Sequence, residues 1–283
     1  LAFIIYGLLL TLVWMLLRGV DVALTEAAIG GGLTGALLIA AASRLRGIEN
    51  AQHAEQPGPA LKWSAAAVSG TVTAVLAFCV MRLPDTAPSL ADAVASNIGS
   101  TGVGNPITAV LLSFRAMDTL LEAIVLLFAL IGVWSMTPDR FWAGRPGLQH
   151  VADPNGILAY MARVLPPIGL VIGMYIFWVG ADYPGGKFQG ATILAAMWLL
   201  TIMAGLTDAP PIGTRMLRMA LVLGPLVFIA IGFAGYFSAG AFLAYPEGIA
   251  KPLILVIEFA LMPTLTLVLG LLLLGTPQRV AAP

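Results

Sequence analysis

Charge is what this sequence has least of. Of its 283 residues 10% are Asp, Glu, Lys or Arg and 59% are hydrophobic, with a mean hydropathy of +0.96. A water-soluble domain carries roughly 25% charged residues, so a water-facing surface of ordinary size could not be covered here. The 14 basic and 14 acidic side chains cancel, which removes the electrostatic case for binding nucleic acid or for a polybasic lipid anchor. Cysteine is scarce as well. Cys79 stands alone, which excludes an internal disulfide, a Cys-based zinc site and an iron–sulfur site. Its place in an apolar run predicts a buried, inert thiol. The two histidines, His53 and His150, fall in separate polar loops and make a poor case for a metal. No resident cofactor is expected. Residue 1 is Leu and not Met, which reads as a fragment, a processed end or a non-standard start. The opening stretch lacks a basic n-region and a small-residue cleavage site, so it reads as a span and not as a signal peptide.

What the sequence has in abundance is apolar runs. Spanning the hydrocarbon core takes about 20 apolar residues. Eight stretches qualify: 1–17, 22–43, 63–82, 107–136, 157–179, 188–207, 215–238 and 252–274. The expected fold is all-α, a polytopic transmembrane helical protein of about eight spans embedded in a lipid bilayer. A tight connection, Arg18-Gly19-Val20-Asp21, separates the first two spans, and longer polar connectors lie at 44–62, 83–106 and 137–156. One side collects Arg44, Arg46, Lys62, Arg140, Arg145, Arg215, Arg218 and Arg279, the other Arg18, Arg82, Lys187 and Lys251. Eight against four predicts both termini in the cytoplasm.

Gly31 with Gly35 and Gly169 with Gly173 are small-xxx-small pairs that let helices approach closely. Pro166-Pro167, Pro225 and Pro263 fall inside spans, where each removes a donor and the freed carbonyls must find other partners.

An ionisable residue inside a span costs roughly 2.5–3.5 kcal/mol to insert, and it usually faces protein or water. The densest group is Arg115, Asp118 and Glu122, spaced i,i+3 and i,i+4 on one helical face. Two carboxylates so close tend to split their protonation, which suits a proton or cation relay and equally a charge-neutralised patch gluing helices together. Asp21, Thr25 and Glu26 open the second span, where carboxylates are favoured by the helix dipole. Asp21 can be read as a cap alone, whereas Glu26 sits deeper. Glu258 is isolated in the last span and must borrow a partner from another helix or from a neighbouring chain. Asp182 and Lys187 flank the turn Tyr183-Pro184-Gly185-Gly186, which is either plain connection or a re-entrant backbone beside an ion path.

Three segments resemble one family, in that family's order. Asp21-Val22-Ala23-Leu24-Thr25-Glu26-Ala27 is similar to the "DVALTEA" helix of small membrane subunits of membrane-bound hydrogenases. The same helix is found near the C-terminal end of the large subunit of Mrp-type multisubunit cation/proton antiporters. Asn105-Pro106-Ile107-Thr108-Ala109-Val110, followed by Arg115, Asp118, Thr119 and Glu122, resembles the next element, "N-x-x-T-A-V-L" and "R-x-x-D-T-x-x-E". Gly180 to Gly190 resembles the turn "G-H-x-x-P-G-G-G-F-x-G" of the antiporter's B subunit, with Ala181 in place of the histidine and Lys187 in place of a glycine. Any proton role of that histidine is therefore absent here.

The resemblance implies a fusion of modules: 1–62 a two-helix module, 63–150 a second with the Arg/Asp/Glu helix, and 151–283 a four-helix B-like domain. It implies a non-enzymatic subunit in the cell membrane of a bacterium or archaeon, with the other subunits of an antiporter complex as partners and Na⁺ as the transported ion. Asp21, Glu26, Arg115, Asp118 and Glu122 are the positions to which an ion-path role carries over, and Thr25, Asp182, Lys187 and Glu258 are secondary candidates. The alternatives are a scaffold subunit, or the same module in a hydrogenase-type, respiratory or inorganic-carbon uptake complex. The helix expected before the first span is missing.

Overall fold

The computed structural model describes residues 2–51, 58–83, 89–246 and 248–280, with 43–51 as helical backbone; His53 lies outside them. Every expected apolar stretch is helical. Six helical runs are long and apolar enough to cross a membrane: Val20–Ala42, Pro59–Met81, Ala116–Ser135, Ile157–Val179, Arg215–Ala239 and Ala250–Leu274. Ala2–Leu16 and Lys187–Met203 are shorter apolar helices. The chain is a multi-pass helical membrane protein.

In chain order the helices are α1 (Ala2–Leu16), α2 (Val20–Thr25), α3 (Thr34–Ala51), α4 (Pro59–Met81), α5 (Ala91–Thr101) and α6 (Pro106–Ala109). They continue with α7 (Ala116–Ser135), α8 (Ile157–Val179), α9 (Lys187–Met203), α10 (Arg215–Ala239) and α11 (Ala250–Leu274). Two compact units form, Leu38–Ala93 and the remainder of the chain. In the smaller unit α4 carries no buried residue, and Cys79 is exposed. The sequence placed that thiol in a core, but a helix that buries none of its own faces has no core to hide it in.

The larger unit is built around α11, which packs against α9, α10 and α7. Its faces bury Ile254, Ile257, Leu261, Leu265, Val268 and Leu271, the wide apolar surround expected of a central helix. Both small-residue pairs do what their spacing predicts. A Cβ on Gly35 would lie 2.7 Å from Ile4, and one on Gly7 would lie 3.0 Å from the Gly31 nitrogen, so α1 lies directly on the second span. A Cβ on Gly169 would meet Met197 at 2.3 Å, and one on Gly190 would meet the Gly173 carbonyl at 2.7 Å, so α8 and α9 approach backbone to backbone. Where Pro225 interrupts α10, Thr264 of α11 takes up the slack. Its hydroxyl donates to the Ala220 carbonyl at 2.8 Å and accepts from the Gly224 amide at 3.1 Å.

A short antiparallel pair, β1 (Arg145–Pro146) with β2 (Pro277–Arg279), ties the connector after α7 to the segment after α11. Asp208 pins the same end: Arg279 reaches it with two nitrogens at 2.5 and 2.9 Å, and Arg145 lies 3.6 Å away. The hydrogen bonds and charge of Arg279 hold the Asp208 carboxyl below its usual 3.8. A depressed carboxyl contributes stability above 3.8 that disappears as pH falls through the depressed value. The pair is partly exposed, so its contribution is small. Asp208→Asn is therefore expected to lower the melting temperature of the detergent-purified protein slightly at neutral pH. The difference should vanish in acid; a difference that persists there would contradict the ion pair.

Candidate functional site

Three backbone irregularities converge. The second span leaves α geometry over Glu26–Leu33, which winds as a π-helix through Gly30-Gly31-Gly32. The stretch expected as one span over 107–136 is divided: α6 passes into a π-helical turn, Val110–Phe114, and the chain breaks at Arg115 (φ −130°, ψ 36°) before α7 begins. The freed carbonyls are satisfied from outside the ladder. Leu111 accepts from the Thr119 hydroxyl at 2.6 Å and Leu112 from the Tyr245 hydroxyl at 2.7 Å. The third irregularity is Gly185-Gly186, with φ of +152° and +144°, which delivers the chain into α9. Single π turns often mark functional sites in helices.

Between these three lies one cavity of about 260 Å³, lined among others by Asp21, Thr25, Glu122, Lys187, Gln189 and Glu258. Its ionisable groups come from four different elements: α2, α7, α9 and α11.

One wall is a cross-chain tie. Asp21 Oδ1 accepts from the Gly185 amide at 3.0 Å and from Asn105 Nδ2 at 3.1 Å. Asn105 is buried; its Nδ2 also faces the carbonyls of Gly180 and Tyr183, and its Oδ1 caps α6 by accepting from the Ile107 amide at 2.9 Å. Gln189 donates to Thr25 Oγ1 at 2.8 Å. Asp21 is not the helix cap its position suggested, since α2 has Gly19 at its N-cap with no side-chain cap bond; instead it joins α2 to the turn before α9.

Opposite the tie sit the buried charges. Lys187 is 4% exposed and Glu258 2%, and Glu258 Oε2 has no hydrogen-bond partner among the described residues. The carboxyl groups that line the same cavity as Lys187 from α11 and α7 are those of Glu258 and Glu122. Neither lies within the 4.0 Å of a direct ion pair. The sequence counted Lys187 as a loop cation, but as the first residue of α9, fixed by the left-handed turn before it, it is turned inward. Removing it from the topology count leaves eight basic residues against three. Glu258 shares its cavity with this lysine without a direct ion pair to it.

Other expected site residues lie elsewhere. Arg115 and Asp118 form the expected i,i+3 ion pair, but both are exposed and neither lines the cavity, whereas Glu122 does. The Glu26 carboxyl lies against Gly30 and Gly7, facing α1. Asp182 bonds Lys251 Nζ at 2.7 and 2.8 Å and accepts from the Gly104 amide at 3.1 Å; the lysine holds its carboxyl below the usual range. Sequence reasoning missed Gln189, Thr108 and Tyr245. Thr108 donates to the Gly180 carbonyl at 2.6 Å, and nothing short of the fold announces that contact. Among the described residues no three His, Cys, Asp or Glu side chains converge as a metal site requires.

Comparison with known proteins gives two matched regions. Residues 157–276 match the family described as a domain related to the MnhB subunit of Na⁺/H⁺ antiporter, and residues 1–47 match MbhD, a subunit of MBH. An uncharacterised protein of Methanocaldococcus jannaschii is 27% identical over 156 residues, covering 50% of this chain and 60% of that relative. Among solved structures, the Mrp complex from a Dietzia species matches with a TM-score of 0.67 at 22% identity, over 98% of this chain and 32% of that one. The membrane-bound sulfane sulfur reductase, an archaeal respiratory membrane complex, matches with a TM-score of 0.53 at 24% identity, over 75% of this chain and 98% of that one. The chain thus spans only part of the Methanocaldococcus relative and of the Dietzia chain, and at these identities the structural likeness speaks to the fold. The sequence matches speak to the modules: one region of the chain is similar to MbhD and another to a domain related to the MnhB subunit of Na⁺/H⁺ antiporter.

Proposed function

We propose that the chain is a membrane subunit of a multisubunit monovalent cation/proton antiporter complex, with Na⁺ as the cation, and that its cavity carboxylates belong to the ion path. One observation carries this reading: Glu122, Lys187 and Glu258, each expensive inside a membrane, come from three helices to one cavity. The cavity points to Glu122 and Glu258 as the relay. Arg115 and Asp118, paired on the outside, then serve contact with a neighbouring subunit, and Glu26 serves the seam with α1. The excess of basic residues on one side supports cytoplasmic termini. The partners are the other subunits of the complex, which would also supply any redox chemistry.

Glu122→Gln tests the relay. In the intact complex reconstituted into vesicles, cation-driven proton movement read by a pH-sensitive dye should fall roughly tenfold, because an amide keeps the shape but cannot pass a proton. Undiminished exchange would exclude the relay. If the same variant instead disperses the complex on a native gel, the chain is a scaffold.

A second reading is favoured by the MbhD match: the same module coupled to a respiratory or hydrogenase-type engine. Identifying the subunits that co-purify decides it, since an electron-transfer subunit would be present in that case and absent from a stand-alone antiporter.

A further inference from the structure

The proposed ion path does not say which species this cavity carries. We infer that Lys187 is a tethered cation standing where an alkali ion would sit, so that the cavity carries protons and does not bind Na⁺. The inference rests on the ion-path reading and assigns one leg of it.

The first argument is placement. Lys187 is the first residue of the 17-residue helix α9, where the helix dipole disfavours a cation. It is nonetheless buried, in the cavity that Glu258 and Glu122 also line, with its Nζ 5.4 Å from the centre of the Phe188 ring. The ionisable groups facing it are Glu122 from α7, Glu258 from α11 and Asp21 from α2. Asp21 Oδ1 is engaged by Gly185 and Asn105 at the wall. An ammonium sharing one cavity with these carboxylates repels any second cation entering the same space.

The second argument is the supply of oxygen. A bare alkali ion needs a shell of oxygens to replace its water. Most of the neutral oxygens around this cavity already take part in a hydrogen bond. Thr25 Oγ1 donates to the Asp21 carbonyl at 2.9 Å and accepts from Gln189, and Thr108 donates to Gly180. The carbonyls of Leu111 and Leu112 accept from Thr119 and Tyr245. Besides these the cavity offers the Gln189 Oε1, the carboxyl groups of Glu122 and Glu258, an ammonium group and space. The 260 Å³ leaves room for about eight waters at roughly 30 Å³ each. Two carboxyls, an amine and a short water chain can hand a proton along. A proton leaving Glu258 passes to water or to Glu122, and Lys187 supplies the fixed positive charge that keeps the pair close to neutral.

The test uses the assembled complex with its native partners. It measures equilibrium binding of ²²Na⁺ to the purified complex and proton movement in vesicles. The variants are Glu258→Gln, Lys187→Met, Lys187→Arg and the double variant Lys187→Met with Glu258→Gln. Glu258→Gln should cut proton movement by about a hundredfold yet leave bound ²²Na⁺ per complex unchanged. Lys187→Met should add one bound ²²Na⁺, the double variant should lose it again, and Lys187→Arg should add none. Loss of a bound ²²Na⁺ in Glu258→Gln, or no gain in an assembled Lys187→Met complex, overturns the inference while leaving the ion path in place. If Lys187→Met does not assemble, the Glu258→Gln result alone decides. Proton movement unchanged in both Glu122→Gln and Glu258→Gln would instead remove the ion path itself, and the inference with it.

Discussion

Replacing Glu258 with Gln should lower cation-driven proton movement by the assembled complex by about a hundredfold, the low end of what a positioned proton-transfer group contributes. The effect should exceed that of Glu122→Gln for a structural reason. Glu258 is 2% exposed in the N-terminal half of α11, flanked by the core residues Ile257 and Leu261, so no side chain outside the cavity can stand in for it. Glu122 is exposed on α7, where a group of a neighbouring subunit can partly substitute. The amide fills the same volume, and Lys187 keeps Glu122 as a counter-charge, so recovery of the complex should change little. A loss of activity matched by an equal loss of complex would show that Glu258 acts in assembly and not in transfer.

The largest effect on folding is expected at Gly185. Its φ of +152° lies where side chains are rarely tolerated, and a Cβ there would stand 2.4 Å from the Ile176 carbonyl. Residues forced into such conformations lose about 1–3 kcal/mol from backbone strain alone, before the clash is counted. The Gly185 amide is also one of the two donors on Asp21 Oδ1. Gly185→Ala should therefore loosen the wall of the cavity and the entry into α9 together. Expression in the native host should yield several-fold less assembled complex on a native gel. Recovery equal to that of the parent would contradict the strained-turn account.

The spans were legible because lipid imposes a length: each needs a long apolar run, and every such run is a helix. The small-residue pairs were legible for a similar reason, since Gly at i,i+4 leaves few uses other than close approach. The grouping of charges was legible only in part. Arg115 and Asp118 pair because three residues along a helix is a fixed distance, but helical spacing cannot say whether that face meets a cavity or the outside. Here the break at Arg115 intervenes, and it depends on Thr119 and on Tyr245, 133 positions from the carbonyl it serves. Lys187 was misplaced because a lysine beside Pro-Gly-Gly reads as a loop residue. Two left-handed glycines turn it inward, and the carboxylates that share its cavity lie on helices far away in sequence. Cys79 was misplaced because an apolar run does not reveal whether its neighbours are protein or lipid.

The central claim is that Glu122 and Glu258 exchange protons within one cavity beside Lys187. Difference infrared spectroscopy of the assembled complex, triggered by a pH step, reads carboxyl protonation directly. The account predicts two protonated-carboxyl signals, one removed by Glu122→Gln and the other by Glu258→Gln, each altered when the other residue is replaced. Carboxyl signals that survive both substitutions unchanged would contradict it.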